Sequence, residues 1–160
     1  MKKTIYILLV FFAIFMLSSF NNFDTKNYKC LMQMSNYNGE GAYVVVSLIN
    51  PDGKYENTVY IQGDDDKWYY EISSWWSYYG KNKYNVDGIS GSTVSAGERS
   101  LNVFKIDKSK IGSGYKLRFE TAVEDENYFE KDIEFELNEA NLLKKHSGNG
   151  FIRYVRFISQ

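Results

Sequence analysis

Apolar and polar residues alternate with period two through much of the chain between residues 28 and 158, and this constrains the fold more than any other feature. Tyr115, Leu117, Phe119, Thr121 and Val123 alternate with Lys116, Arg118, Glu120 and Ala122. In the next run Phe129, Ile133, Phe135 and Leu137 share one face, and Glu130, Asp132, Glu134 and Glu136 share the other. Successive side chains of an extended chain point to opposite faces, so each run predicts a strand of an antiparallel sheet with one dry and one wet face. Glu124-Asp125-Glu126-Asn127 joins the two runs as an exposed tip. Residues 43–49 are β-branched and aromatic and are followed by Asn50-Pro51-Asp52-Gly53. Proline presets φ for the first turn position and glycine accepts a positive φ, which predicts a hairpin into residues 55–61. Residues 28–34, 101–106 and 151–158 complete about seven strands, and a short helical turn fits residues 138–145. The expected class is mainly β, an antiparallel β-sandwich of immunoglobulin-like kind.

Between Gly63 and Tyr84 the period changes. Trp68, Ile72, Trp75, Trp76 and Tyr79 fall at helical spacing and predict one inserted aromatic helix. Asp64, Asp65 and Asp66 stand where carboxylates favour a helix N-terminus, and Gly80 stands where a helix ends. The stripe predicts a helix plugging one edge or end of the sandwich. The other reading makes Trp75 and Trp76 an aromatic platform for a flat ligand.

The chain starts Met1-Lys2-Lys3, and residues 5–17 are almost unbroken Ile, Leu, Val, Phe, Ala and Met. A basic start before about a dozen apolar residues predicts a secretory signal over residues 1–20, the run being shorter than the ~20 residues of a membrane span. Cys30 follows Asn27-Tyr28-Lys29 and not the small apolar residues of a lipobox, which argues against a lipoprotein. The expected product is periplasmic or otherwise extracytoplasmic, with no stable membrane span after cleavage and a single domain over residues 27–160. Nineteen Lys+Arg against 20 Asp+Glu give a formal charge of −1, without the basic excess of a nucleic-acid binder. A single Cys cannot form an intramolecular disulfide and reads as a small buried hydrophobe. One His excludes a His-rich metal centre and a two-His relay.

Catalytic signatures are missing. No G-x-S-x-G elbow, H-E-x-x-H or phosphate-binding G-x-x-x-x-G-K-[ST] occurs. His146, beside Ser147-Gly148-Asn149-Gly150, reads as a loop residue. The acidic clusters at 64–66 and 124–126 lack the alternating ligand spacing of a calcium loop and read as solvated charge. No catalytic residue and no metal ligand is expected.

One segment carries a lead: Asp87-Gly88-Ile89-Ser90-Gly91-Ser92-Thr93-Val94-Ser95-Ala96-Gly97, made almost wholly of small or turn-forming residues. Residues 87–93 resemble the acceptor motif of flavin transferases: Asp, any two residues, Ser or Thr, Gly, Ala or Ser, then Thr. That resemblance implies a phosphoester of flavin mononucleotide (FMN) on Thr93, with Asp87, Ser90, Gly91 and Ser92 as the recognition loop. Trp75 and Trp76 are the candidate supports for the flavin ring. The loop braced by Asp87 and Ser90 under the aromatic helix, with no flavin, is the other reading.

Gly63-Asp64, Trp75-Trp76, residues 87–97, and Gly114-Tyr115 with Glu120 and Glu124 together resemble DUF2271, a family of predicted periplasmic proteins of unknown function. The resemblance covers residues 27 to about 138. Val94 stands where that pattern usually has Arg, and Asp125-Glu126 where it has His-Gly. The resemblance implies an immunoglobulin-like sandwich that accompanies flavin transferases and PepSY-type membrane redox proteins. The expected function is therefore an exported, non-catalytic accessory or binding module of a flavin-linked envelope redox system. The alternative is an electron carrier with FMN covalently attached at Thr93.

Overall fold

A computed structural model describes residues 24–63, 65–82 and 89–158. The leader expected at 1–20, and Asp64, Asp87 and Gly88, lie outside the described residues. Nine strands are present among them: β1 (Thr25–Met34), β2 (Tyr43–Ile49), β3 (Tyr55–Gln62), β4 (Ser90–Gly91), β5 (Arg99–Asp107), β6 (Lys116–Ala122), β7 (Tyr128–Glu136), β8 (Lys145–Ser147) and β9 (Ile152–Ile158). They form a four-stranded sheet in the order β5-β1-β9-β8 and a five-stranded sheet in the order β4-β3-β2-β6-β7. All pairings are antiparallel except β3 with the two-residue β4. The fold is a mainly β sandwich. β4 and β8 are the strands too short to show a period in the sequence.

Between the sheets lies a core that includes Cys30, Met32, Val44, Val46, Leu48, Phe104, Phe119, Phe135, Val155 and Phe157. The Asn50–Gly53 turn closes the β2–β3 hairpin as its sequence dictates. Gly53 adopts φ 79°, and the Asn50 side chain accepts from the backbone N–H groups of Asp52 and Lys54. Asp125 takes φ 59° in the tip between β6 and β7, a conformation Asp tolerates better than most residues.

The wet face expected on β6 is not wet. All residues of β6 after Lys116 are buried, Arg118 and Glu120 included. β2 is buried at every position, the condition that the run Tyr43–Ile49, apolar but for Ser47, comes close to satisfying. The cover is a helical layer. A 3-10 helix, Asp66–Glu71, and helix α1, Ser73–Asn82, lie on the outer face of the five-stranded sheet, and Tyr69, Ile72 and Trp75 pack with Tyr43, Val45, Ile61 and Ala122. The aromatic segment is thus two short helices broken at Ile72, covering a face and not plugging an edge or end. Gly80 lies inside α1 and does not end it. Asp65 caps the 3-10 helix by accepting from Lys67 N–H at 3.2 Å. Gly63 makes the entry possible: at φ 136° its missing side chain leaves room for the Tyr43 ring.

A short helix α2, Glu139–Leu142, occupies the expected turn. His146 is not a loop residue. It lies in β8, its ring stacked on Phe135 at 3.8 Å and its Nε2 2.8 Å from the Asn141 carbonyl. Asp132, expected on the wet face of β7, is fully buried. The register slips between Phe119 and Thr121, opposite the stretch holding Asp132. Its carboxylate accepts from Thr121 Oγ1 at 2.7 Å and from the backbone N–H groups of Asn149, Gly150 and Ile152 at 2.8–2.9 Å. Cys30 is fully buried, and burial pushes its thiol well above the ordinary range.

Candidate functional site

The small-residue loop is held by backbone bonds on both sides. Ser90 and Gly91 pair with Ile61 and Gln62 at the edge of the five-stranded sheet, and Gly63 N–H donates to the Gly91 carbonyl at 2.5 Å. Val94 forms an isolated antiparallel bridge with Ala42. The Tyr37 hydroxyl donates to the Val94 carbonyl at 2.6 Å and accepts from Ala42 N–H at 2.9 Å. Ser92 and Thr93 occupy the two positions between these anchors, Ser92 exposed and Thr93 half-buried. The Thr93 side chain rests on Gly41, where a Cβ would come within 2.6 Å of Thr93 Oγ1. Val94, at the position the DUF2271 pattern usually gives to Arg, is 3% exposed and belongs to the core. Beyond it Gly97 turns at φ 73°, and Glu98 accepts from Ser95 N–H at 3.1 Å.

The structure brings part of the predicted ring support near this loop. Ile89, at the loop's start, packs on the same apolar cluster as Trp75 and Trp76. Trp75 is 0% exposed: Tyr79 stacks on it at 4.7 Å, Tyr69 meets it edge-on at 5.3 Å, and its Nε1–H donates to Thr58 Oγ1 at 2.9 Å. A ring enclosed in this way has no face for a flavin. Trp76 is half-buried and is the member of the pair with surface to offer.

Beneath the helices lies a polar cluster that the sequence reading did not assemble. Glu120 faces the helical layer from the middle of β6, opposite Val45 of β2, and is wholly buried. Its carboxylate accepts from the Tyr55 hydroxyl at 2.8 Å and from the Tyr128 hydroxyl at 2.5 Å. Tyr128 in turn accepts from Ser74 N–H at 3.3 Å, one of the donors that the first turn of α1 leaves free. Arg118 donates to the Tyr55 hydroxyl at 3.4 Å, to Glu134 at 2.7 Å and to Glu130 at 3.2 Å. Tyr55 stacks on Tyr78 of α1 at 5.3 Å. Burial pushes the Glu120 carboxyl up to about 7, against the tyrosine hydrogen bonds and the Arg118 charge, which favour the carboxylate. Burial, followed by the Glu120 charge, raises the phenols of Tyr55 and Tyr128. With both oxygens engaged and no exposed surface, Glu120 clamps the helices to the sheet. A signal for it was present: β2 is apolar on both faces but for Ser47, so a neighbour aligned with Val45 lies under whatever covers that face.

A surface cavity of about 510 Å³ is lined by residues including Lys26, Tyr28, Lys108 and Glu139. It sits at the end of the sandwich where β1 begins, whereas the loop lies where β1 has ended and β2 begins. None of the predicted site residues lines it. Among the described residues no group of His, Cys, Asp and Glu is arranged to hold a metal, and no helix is long and apolar enough to cross a membrane.

No curated protein and no solved structure matches the chain. The family model for predicted periplasmic proteins matches residues 25–154, from the first residue of β1 into β9. That description agrees with the extracytoplasmic location expected from the leader. With most of its length matched, and with the loop, the Trp pair and Glu120 all inside the match, the chain belongs to the DUF2271 family of predicted periplasmic proteins.

Proposed function

We propose that this protein is a non-catalytic accessory or binding module serving a flavin-linked redox system of the cell envelope. The observation that carries the reading is the presentation of Ser92 and Thr93: a two-residue step pinned by β-pairing on one side and by the Val94–Ala42 bridge on the other. A second enzyme or a membrane redox partner can close over such a segment without unfolding its surroundings. The sealed state of Glu120 supports a non-catalytic role, because an acid–base group must reach its substrate. The partners in this reading are a flavin transferase and a PepSY-type membrane redox protein. The finer kinship with immunoglobulin-like sandwiches belongs to the same reading. It is supported by the central pairs β1–β9 and β2–β6 and the hairpins β2–β3 and β6–β7, with β5 at the edge beside β1.

A second reading rests on the match of residues 87–93 to the acceptor motif: an electron carrier with FMN esterified to Thr93. Thr93 is half-buried over the bare backbone of Gly41, and Trp76, not Trp75, is the ring available to lie against a flavin. The intact mass of the mature protein, coexpressed with a flavin transferase beside a Thr93→Ala control, separates the two readings. An unmodified mass, with the transferase active on a known acceptor, leaves the module. A gain of one FMN that the control lacks makes the protein a carrier. Co-purification with a PepSY-type membrane protein in detergent then tests the module directly, and its failure with an otherwise functional redox system overturns that assignment.

A further inference from the structure

The outer face of the four-stranded sheet is basic, its charges interspersed with apolar residues and with neutral polar ones such as Asn27, Gln33 and Ser147. The register puts Lys29 and Leu31 of β1, Arg99, Leu101, Val103 and Lys105 of β5, Arg156 of β9 and Lys145 of β8 on that face. The five bases are Lys29, Arg99, Lys105, Lys145 and Arg156, and the face carries no carboxylate until Asp107 at the end of β5. None of the five takes part in the ion pairs among the described residues, which engage Lys67, Lys108, Lys110, Lys116 and Arg118. On β5, the edge strand of this sheet, Leu101 is 57% exposed and Val103 52%. A formal charge of −1 for the whole chain conceals this concentration. The acids gather elsewhere, as at the tip joining β6 to β7.

We infer that this face docks on an anionic phospholipid surface. Four strands at a spacing of about 4.8 Å spread the bases over about 14 Å, too broad for one bound anion and suited to a surface carrying many phosphates. Leu101 and Val103 line neither the cavity of about 510 Å³ nor the clefts of about 360 and 120 Å³. An acidic protein partner is gripped by anchors seated in pockets, and Leu101 and Val103 adjoin none of these three clefts. A basic face with exposed aliphatic side chains along its edge strand is a surface form suited to interfacial membrane binding. The inference is independent of the flavin reading, since the loop and the face share no residue.

The test uses mature protein recovered after export, its N-terminus established by intact mass. It is sedimented with vesicles of phosphatidylcholine alone and with vesicles one third phosphatidylglycerol. Binding is expected on the anionic vesicles only, and raising salt from about 0.1 M to about 1 M abolishes it. The double variant Lys29→Gln, Arg156→Gln, which removes two exposed charges, is expected to bind about 25-fold more weakly, at about fivefold per charge. Leu101→Gln, with all charges kept, is expected to bind more weakly while keeping its salt dependence. Thermal melts of both variants matching the parent's establish that the fold is intact. Equal binding to neutral vesicles, no binding to either, or a double variant that binds like the parent overturns the inference. Retention on immobilised polyglutamate without vesicle binding overturns it in favour of an acidic protein partner.

Discussion

Glu120 allows a quantitative test of the helical layer. An ordinary glutamate titrates at 4.5, and burial under α1 and the 3-10 helix raises this one to about 7. The folded chain therefore holds the proton more tightly than the unfolded chain does. This contribution to stability is full below pH 4.5, declines as pH rises, and levels off above about 7. A shift from 4.5 to about 7 corresponds to about 3 kcal/mol lost across that window. Arg118 opposes the loss, Glu130 adds to it, and both are included in the value of about 7. Glu120→Gln fixes the side chain in a neutral state of the same shape, able to bond to Tyr55 and Tyr128. Urea unfolding of parent and variant from pH 4.5 to 8 is the assay. The two free energies are expected to diverge with pH, the variant gaining about 3 kcal/mol on the parent by pH 8. A difference that stays constant across the range would refute the reasoning, because Glu120 would then be solvated or permanently ionised and the helices would not seal it.

Trp75→Ala is expected to cost about 3–5 kcal/mol in chemical denaturation. Trp76→Ala, at a half-buried ring, is expected to cost markedly less; equal losses would contradict the burial of Trp75. Asp132→Ala removes the acceptor of three backbone N–H groups and the Thr121 hydroxyl, and a loss of about 3 kcal/mol or more is expected, with hydrogen exchange at Asn149, Gly150 and Ile152 rising first. Cys30 is expected to resist thiol reagents in the native protein and to react stoichiometrically in urea, and rapid native labelling would contradict its burial.

The strands were legible because period two is a local property. Alternation at 115–123, the turn chemistry of Asn50–Gly53 and the β-branched run of β2 each need only neighbours in sequence to be read. The helical stripe was legible in the same way, down to Trp75 and Tyr79 lying on one side. Its break at Ile72 was not, since the sequence spacing continues smoothly across a change of helix type. The loop at 89–97 was visible in its composition, and its resemblance to an acceptor motif was visible residue by residue. Its attachment to β3 through Ser90-Gly91 was not, because a two-residue strand has no period.

What the sequence by itself determined is the set of elements: mainly β, one aromatic helical segment, one small-residue loop. The tertiary structure alone decided which faces are covered. Glu120 and Arg118 carry the same alternation as any solvent-facing pair, and nothing local distinguishes a polar face under water from one under a helix. Only the placement of α1 against β2 and β6 turned two apparent surface charges into a buried network. No described helix or loop covers the opposite sheet in this way, so among the described residues Lys29, Arg99, Leu101 and Arg156, scattered over three strands far apart in sequence, come together on one face. Local patterning sets each strand's two sides, while the partner of each side is chosen by contacts between residues distant along the chain.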